Sequence, residues 1–190
     1  RQSTLLAAHA SIRRRVVHAG ERIFHPVDPF DRLYVVNAGI CKSVSMTADG
    51  REQVVELHLK GDWLGLGAIA SGQYEAEAIA MDTSEVWGVS YQELMLAGQR
   101  TPELMHLVHV AMSRALGRKR NALLSICTLP ADARVAEFLL WWADALDQRG
   151  MRNDHVRLPM SRAEIGNYLG MTLESVSRAL SRLERHNVIR

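Results

Sequence analysis

Between Ser161 and Arg185 the chain carries two amphipathic helical periods separated only by Gly170-Met171-Thr172, and few folds accommodate that spacing. Ser161 followed three residues later by Glu164 places a hydroxyl and a carboxylate where each takes an orphan N–H at a helix start. Ile165, Leu169 and the small Ala163 form the apolar side of this first helix. Gly170 supplies the backbone freedom that ends a helix in a tight turn, and Thr172 is placed to cap a second helix starting near Leu173. Val176, Leu180 and Leu183 then recur at spacings of four and three, a buried stripe that leaves Glu174, Ser177, Arg178, Ser181, Arg182 and Arg185 outward.

Two helices so related predict a helix-turn-helix whose second helix enters a DNA major groove. Arg matches the paired acceptors of guanine, Glu accepts from the cytosine amino group, and Ser bonds to several base edges. Glu174, Ser177 and Arg178 are therefore the expected base readers. Thr172, Ser161, Arg162, Ser181, Arg182 and Arg185 are the expected DNA backbone contacts, joined by Arg157. The competing reading of the same face is an ordinary solvated helix surface.

Charge favours the DNA reading. Residues 149–190 hold eight Lys and Arg against four Asp and Glu, whereas residues 1–148 hold fifteen against seventeen, so the overall +2 hides a basic end on a slightly acidic body. A module that meets phosphates has this footprint.

With 190 residues, 47% of them hydrophobic, the chain can bury a core and hold one large or two modest domains. No apolar run reaches the roughly 20 residues that span a membrane, and no signal peptide opens the sequence, so no membrane partner and a cytoplasmic location are expected. The first residue is Arg rather than Met, so preceding residues are expected. Cys41 and Cys127 are too few for a disulfide scaffold and too far apart to pair as metal ligands; no metal site is expected. An enzyme is also disfavoured: there is no His-Glu-x-x-His, no phosphate loop ending in Lys and no nucleophile elbow.

Residues 15 to about 98 follow a different period. Arg32–Val36, Ile40–Met46, Gln53–Leu59 and Glu85–Val89 are short segments of strand character, with Gly20, Gly39, Gly50, Gly61 and Gly65 at the turns. Asp49-Gly50 is read as a two-residue hairpin turn with both residues at positive φ. Many short strands with regular turns favour a barrel or roll, with an unspecified sandwich as the alternative.

A long helix is expected over 102–126, with Pro102 in its first turn. Met105, His109, Met112, Leu116, Lys119, Leu123 and Ile126 alternate at four and three, the seam along which two chains coil, while Leu104, Val108, Ala111, Ala115 and Ala122 form a second stripe facing the strands. The alternative is that both stripes are monomer core. Lys119 inside the seam would set two ammonium groups against each other, a control point for association.

In this order the features resemble the CRP/FNR regulators. The resemblance rests on His18–Phe24, Arg32–Gly39, Asp49-Gly50, Leu57–Gly65, Thr83–Ser90, the Asp132–Ala143 helix and the terminal helix-turn-helix, and so covers nearly the whole chain. It implies an α+β chain: an N-terminal cyclic-nucleotide-binding-type β-roll (1–101), a long dimerisation helix (102–127) and a C-terminal winged helix-turn-helix (128–190), its wing beyond Arg190. It further implies a homodimeric transcription regulator on double-stranded DNA, with RNA polymerase as a partner and a hinge near Thr128, Leu129 and Pro130. Phe138, Leu139, Leu140, Trp141 and Trp142 are expected as core between domains. Glu174, Ser177 and Arg178 match the FNR branch, and Leu173 departs from the Arg common in cyclic AMP receptor proteins; an FNR-type palindrome with TTGAT-like half-sites is implied.

Departures from the family bear on what the roll senses. Nucleotide-binding rolls carry a Glu after the last glycine of the Gly-Asp-aromatic-aliphatic-Gly segment and an Arg-Ser pair about ten residues later. Here Leu66 follows Gly65, and the later stretch reads Gln73-Tyr74-Glu75-Ala76-Glu77, whose acids repel a phosphate, so cyclic AMP is not expected. The oxygen-sensing branch holds an iron-sulfur cluster on four thiolates, one from the strand where this chain has Trp87, so that cluster is not expected either. Haem, as a nitric oxide or redox sensor, stays open through His9, His18, His25, His58, His106 and His109, as do a thiol switch at Cys41 or Cys127 and control by abundance. A nucleotide-binding regulatory module without DNA binding is the remaining rival, and the terminal helix-turn-helix speaks against it.

Overall fold

The computed structural model describes residues 2–151 and 158–189. In order these form α1 (Gln2–His9), β1 (Ile12–Val17), β2 (Arg22–Phe24), β3 (Arg32–Ala38), β4 (Cys41–Met46), β5 (Glu52–His58), β6 (Trp63–Leu64), α2 (Ala68–Ser71), β7 (Glu77–Ala80), β8 (Ser84–Ser90), α3 (Tyr91–Arg100), α4 (Pro102–Thr128), α5 (Ala131–Asp147), α6 (Arg162–Leu169) and α7 (Leu173–Arg185). The chain divides into two compact units, residues 1–117 and 118–190.

The first unit is a roll of two four-stranded antiparallel sheets, ordered β1-β8-β3-β6 and β2-β7-β4-β5. Strand β3 explains the layering. Its run Leu33-Tyr34-Val35-Val36 is apolar throughout because both faces of its sheet are covered. Val36, Val17 and Val86 pack into the interior between the sheets with Phe24, Cys41, Leu64, Ala78 and Ala80. Leu33, Val35, Trp63 and Val89 join the opposite cluster with Leu6, Leu94, Leu104, Val108 and Ala111. Burying each such aliphatic side chain contributes about 1.5 to 3 kcal/mol. Leu104, Val108 and Ala111 thus pack on the roll as the second stripe of the long helix predicts, whereas Ala122 belongs to the second unit and lines a groove there.

The turn at Asp49-Gly50 differs from expectation. Only Gly50 is left-handed, at φ 80°; among the described non-glycine residues Asn187 alone has positive φ. The Gly50 N–H donates to the Thr47 carbonyl at 2.9 Å and Thr47 N–H to Arg51 at 2.8 Å, a type I turn closed by a glycine bulge. Asp49 keeps ordinary backbone because its carboxylate braces the loop, accepting from the Thr47 hydroxyl and from Arg51 Nε at 2.8 Å. Gly39 is the turn with least room: a Cβ there would sit 2.2 Å from Ser84 Oγ at φ +82°.

Met105 also departs from its expected place. It packs against the core of its own unit, its side chain so close to Gly98 that a Cβ there would meet Met105 Cγ at 2.6 Å. A helical period marks an apolar stripe but not which surface covers it.

In the second unit, Val135, Phe138 and Trp142 of α5 are buried, and Phe138 meets the Tyr168 ring of α6 at 5.8 Å. These rings are core of the helix-turn-helix unit itself, while Leu140 stays 67% exposed. Helix α7 packs on both α5 and α6.

Candidate nucleic-acid interface

The reading head is built from local signals. Ser161 Oγ accepts from Glu164 N–H at 3.2 Å while the Glu164 carboxylate takes the Ser161 N–H at 2.9 Å, closing a capping box on α6. Gly170 ends α6 in the left-handed region at φ 64°, and the Met171 N–H returns to the Gly166 carbonyl at 2.8 Å. Gly166 must be glycine because a Cβ would lie 2.7 Å from the Met171 carbonyl oxygen, so α6 and the turn touch backbone to backbone. Thr172 Oγ1 then accepts from Ser175 N–H at 3.2 Å and caps α7.

Val176 and Ala179 are fully buried on α7, and Leu180 and Leu183 only partly. The stripe is therefore rotated toward Ala179, which the larger leucines mask in the sequence. Ala163 is exposed, because two residues at 100° each carry it to the side opposite Ile165.

Glu174 and Arg178 are exposed one turn apart at the start of α7, with Ser177 half-buried beside them. The Glu174 carboxylate is held below its ordinary range by its own backbone N–H, then by Thr172 and the Arg178 charge. It stands ionised and ready to accept. Arg178 Nη2 donates to Ser175 Oγ at 3.2 Å, and the Thr172 hydroxyl donates to the same oxygen at 3.1 Å. Ser175 was not singled out in the sequence, although its spacing of three from Thr172 is the signal of an N-cap pair. It links the cap to Arg178.

Among the expected backbone contacts, Ser161, Arg162, Thr172, Ser181 and Arg185 are exposed, the hydroxyls of Ser161 and Thr172 already serving as caps. Arg157 lies outside the described residues. Arg182 is not free: its Nη2 donates to Asp132 Oδ1 at 2.5 Å, across from α7 to the first turn of α5.

Comparison with known proteins agrees with this geometry. The family model for the cyclic nucleotide-binding domain matches residues 14–99, and that for the Crp-like helix-turn-helix domain matches 133–190. The fumarate and nitrate reduction regulatory protein of Vibrio cholerae is 32% identical over 93% of this chain and 71% of its own length. The chain belongs to the CRP/FNR family of transcription regulators.

The transcriptional activator protein anr of Pseudomonas aeruginosa is similarly related to this CRP/FNR protein, 33% identical over 93% of the chain and 72% of the relative. The solved structure of FixK2 from Bradyrhizobium japonicum superposes with a TM-score of 0.82 at 29% identity, covering 95% of this chain and 88% of that one. These relatives are regulators rather than enzymes.

The roll of this CRP/FNR regulator does not fit a cyclic nucleotide. The Phe24 and Tyr74 rings stack with centroids 4.0 Å apart in its interior, Tyr34 lies 5.6 Å from Phe24, and the Tyr74 hydroxyl donates to the Arg32 carbonyl at 2.7 Å. Burial raises the pKa of both tyrosines. Glu77, buried on β7, accepts from Arg22 and lies 3.7 Å from His25 Nε2, so this carboxylate already has the Arg22 cation as its partner. Nor does the Trp87 position fit a cluster thiolate. Its ring is buried, donates from Nε1 to Glu85 at 2.5 Å and carries the Arg14 guanidinium 5.0 Å above its centroid.

The histidines do not converge: His9, His18, His25, His106 and His109 are exposed, and buried His58 bonds to Ser43 Oγ at 2.8 Å. Among the described residues no three His, Cys, Asp or Glu gather as metal ligands, and no helix is long and apolar enough to cross a membrane. Cys41 is buried, its thiol pushed up to about 12 by desolvation, whereas Cys127 is exposed.

Of the seam residues, Leu116 and Leu123 are 68% and 62% exposed, and Met112, Ile126, His109 and Lys119 are exposed as well. Within the second unit, a groove of about 370 Å³ runs between the end of α4 and α5, with Ala122, Ile126, Phe138, Leu140 and Trp141 on its walls.

Proposed function

We propose that two copies of this regulator associate along α4 and bind a palindromic site with TTGAT-like half-sites. The observation carrying this reading is the exposed face of α7, with an ionised Glu174 and a braced Arg178 one turn apart on a helix whose start is capped by Thr172. Arg178 reads a guanine, Glu174 a cytosine amino group, and Ser177 an adjacent edge. Ser161, Arg162, Thr172, Ser181, Arg182 and Arg185 fix the register through phosphates.

The exposed apolar row of α4 supports association, since Met112, Leu116, Leu123 and Ile126 follow one another along one helix and contiguous apolar surface marks an interaction site. Met112, Leu116, Lys119, Leu123 and Ile126 form the seam, with His109 at its start; Met105 is already committed to its own roll. The domains of this reading are a sensor roll (1–101), a dimerisation helix (102–127) and a DNA-binding unit (128–190). A two-fold pair sets its readers about 34 Å apart, one duplex turn. RNA polymerase is the downstream partner and the cytoplasm the compartment.

The signal at the roll is not a cyclic nucleotide, in keeping with the Phe24–Tyr74 stack and the acidic Glu75-Ala76-Glu77 stretch. Electrophoretic mobility shifts on the palindrome and on a scrambled duplex test the DNA reading. Equal affinity for both would end it. A visible absorbance spectrum of anaerobically purified full-length protein tests the sensor: a Soret band assigns haem, and a colourless protein that binds the palindrome assigns a thiol, an organic effector or control by abundance.

A further inference from the structure

Asp132 and Arg182 are fifty residues apart in sequence and paired in space. The carboxylate stands in the first turn of α5, where the helix dipole also favours it. The guanidinium stands in the last turn of α7, on the helix that presents Arg178, Ser181 and Arg185 to solvent. Both side chains are about two-fifths exposed, yet Arg182 Nε is enclosed and has no hydrogen-bond partner among the described residues. With Nη2 on Asp132 and Nε turned against protein, this rotamer offers a phosphate only an edge. To make a two-pronged contact Arg182 must leave Asp132.

The exchange replaces one anion with another. An ion pair this exposed is weak, whereas a duplex presents a row of phosphates and releases counterions when one is neutralised. The duplex therefore wins, with its margin reduced by whatever Asp132 held.

We propose that Asp132 is a positioning residue for DNA binding: it holds Arg182 in the DNA-free protein, yields it to a phosphate on the duplex, and so sets how tightly DNA of any sequence is held. The proposal rests on the reading of Arg182 as a backbone contact. The base readers Glu174, Ser177 and Arg178 are untouched by the exchange, so Asp132 lowers the background without altering which bases are preferred.

The test is a double-mutant cycle on the full chain. Wild type, Asp132→Asn, Arg182→Gln and the double variant are titrated with the palindrome and with a scrambled duplex across a salt series, each variant checked by thermal melting. Asp132→Asn should tighten both duplexes by roughly two- to fivefold and steepen the dependence of log K on log salt by up to about 0.9. In the Arg182→Gln background the same change should do nothing. Asp132→Glu, which keeps the pair, should behave as wild type, and Asp144→Asn, which removes another acid of α5, should leave the salt slope alone. Asp132→Ser substitutes where Asn melts early.

Tightening that persists without Arg182 would mean plain repulsion between Asp132 and DNA and would overturn the proposal. Unchanged or weaker binding by Asp132→Asn would overturn it too, the pair then serving only to pin α7 to α5. If Arg182→Gln alone leaves the salt slope unchanged, it is the backbone-contact reading that fails, an outcome separable from the other two.

Discussion

Arg134 donates from Nη1 to the carbonyl of Leu169 at 3.3 Å. Its Nε donates to the Leu129 carbonyl at 2.9 Å, so one guanidinium on α5 ties the connection after α4 to the last residue of α6. Arg134→Lys keeps the charge but cannot span two carbonyls. It should cost about 1.5 to 3 kcal/mol of stability, the range of charge-assisted hydrogen bonds, and weaken binding to palindrome and scrambled duplex alike. Thermal melting and mobility shifts read the two effects; an unchanged melt would show the bridge idle.

Arg178→Ala should cost about 1 to 3 kcal/mol of DNA affinity and relax preference at one base pair. Glu174→Ala should relax preference at a neighbouring pair. Because Glu174 is held ionised, that preference should survive down to the ordinary carboxylate range and fade only as pH falls through its lowered pKa. Selection from a randomised half-site identifies the positions, and a uniform loss across sequences would remove both from the reading role.

Gly166→Ala forces a methyl group to within 2.7 Å of the Met171 carbonyl. Neither partner is a flexible side chain, so α6 and the turn must separate. We expect loss of DNA binding with an intact roll, visible as an early first transition in calorimetry. A variant that binds DNA normally would contradict the close approach.

Cys41 and Cys127 should respond to iodoacetamide in opposite ways. Exposed Cys127 is alkylated in the native protein, and Cys41 only after unfolding, since its buried thiol is pushed up to about 12. The neutral thiol favours the folded chain at neutral pH, and that contribution is lost as pH rises from about 9, the ordinary thiol value, toward 12. Peptide mass mapping decides; native labelling of Cys41 would revive it as a sensor.

Association along α4 predicts that Leu123→Glu yields monomers and that Lys119→Leu tightens the dimer by removing facing ammonium groups. Sedimentation velocity at several concentrations measures both. Unchanged dissociation of Lys119→Leu would remove Lys119 as a control point.

Local chemistry made the reading head legible in the sequence. The caps at Ser161 and Thr172 and the stop at Gly170 each involve residues within a few positions, and all three stand where their spacing puts them. Strands β2, β6 and β7, with two to four residues and a register shift between Arg22 and Phe24, are too short to carry a period. The pairing of Asp132 with Arg182 was illegible for a different reason: nothing local links residues so far apart until α5 and α7 pack. Met105 shows a third limit, since its partner surface is decided by Gly98, a small residue on another helix that leaves room for it.

The stacked rings of Phe24 and Tyr74 change how the roll can take part in any response. An interior filled by side chains transmits displacement as a solid does, from one surface to another, and has little internal volume to convert occupancy into movement. On the proposed reading, input to such a body arrives by contact at its outside, and its sensitivity is written in the rim of the roll rather than in its heart.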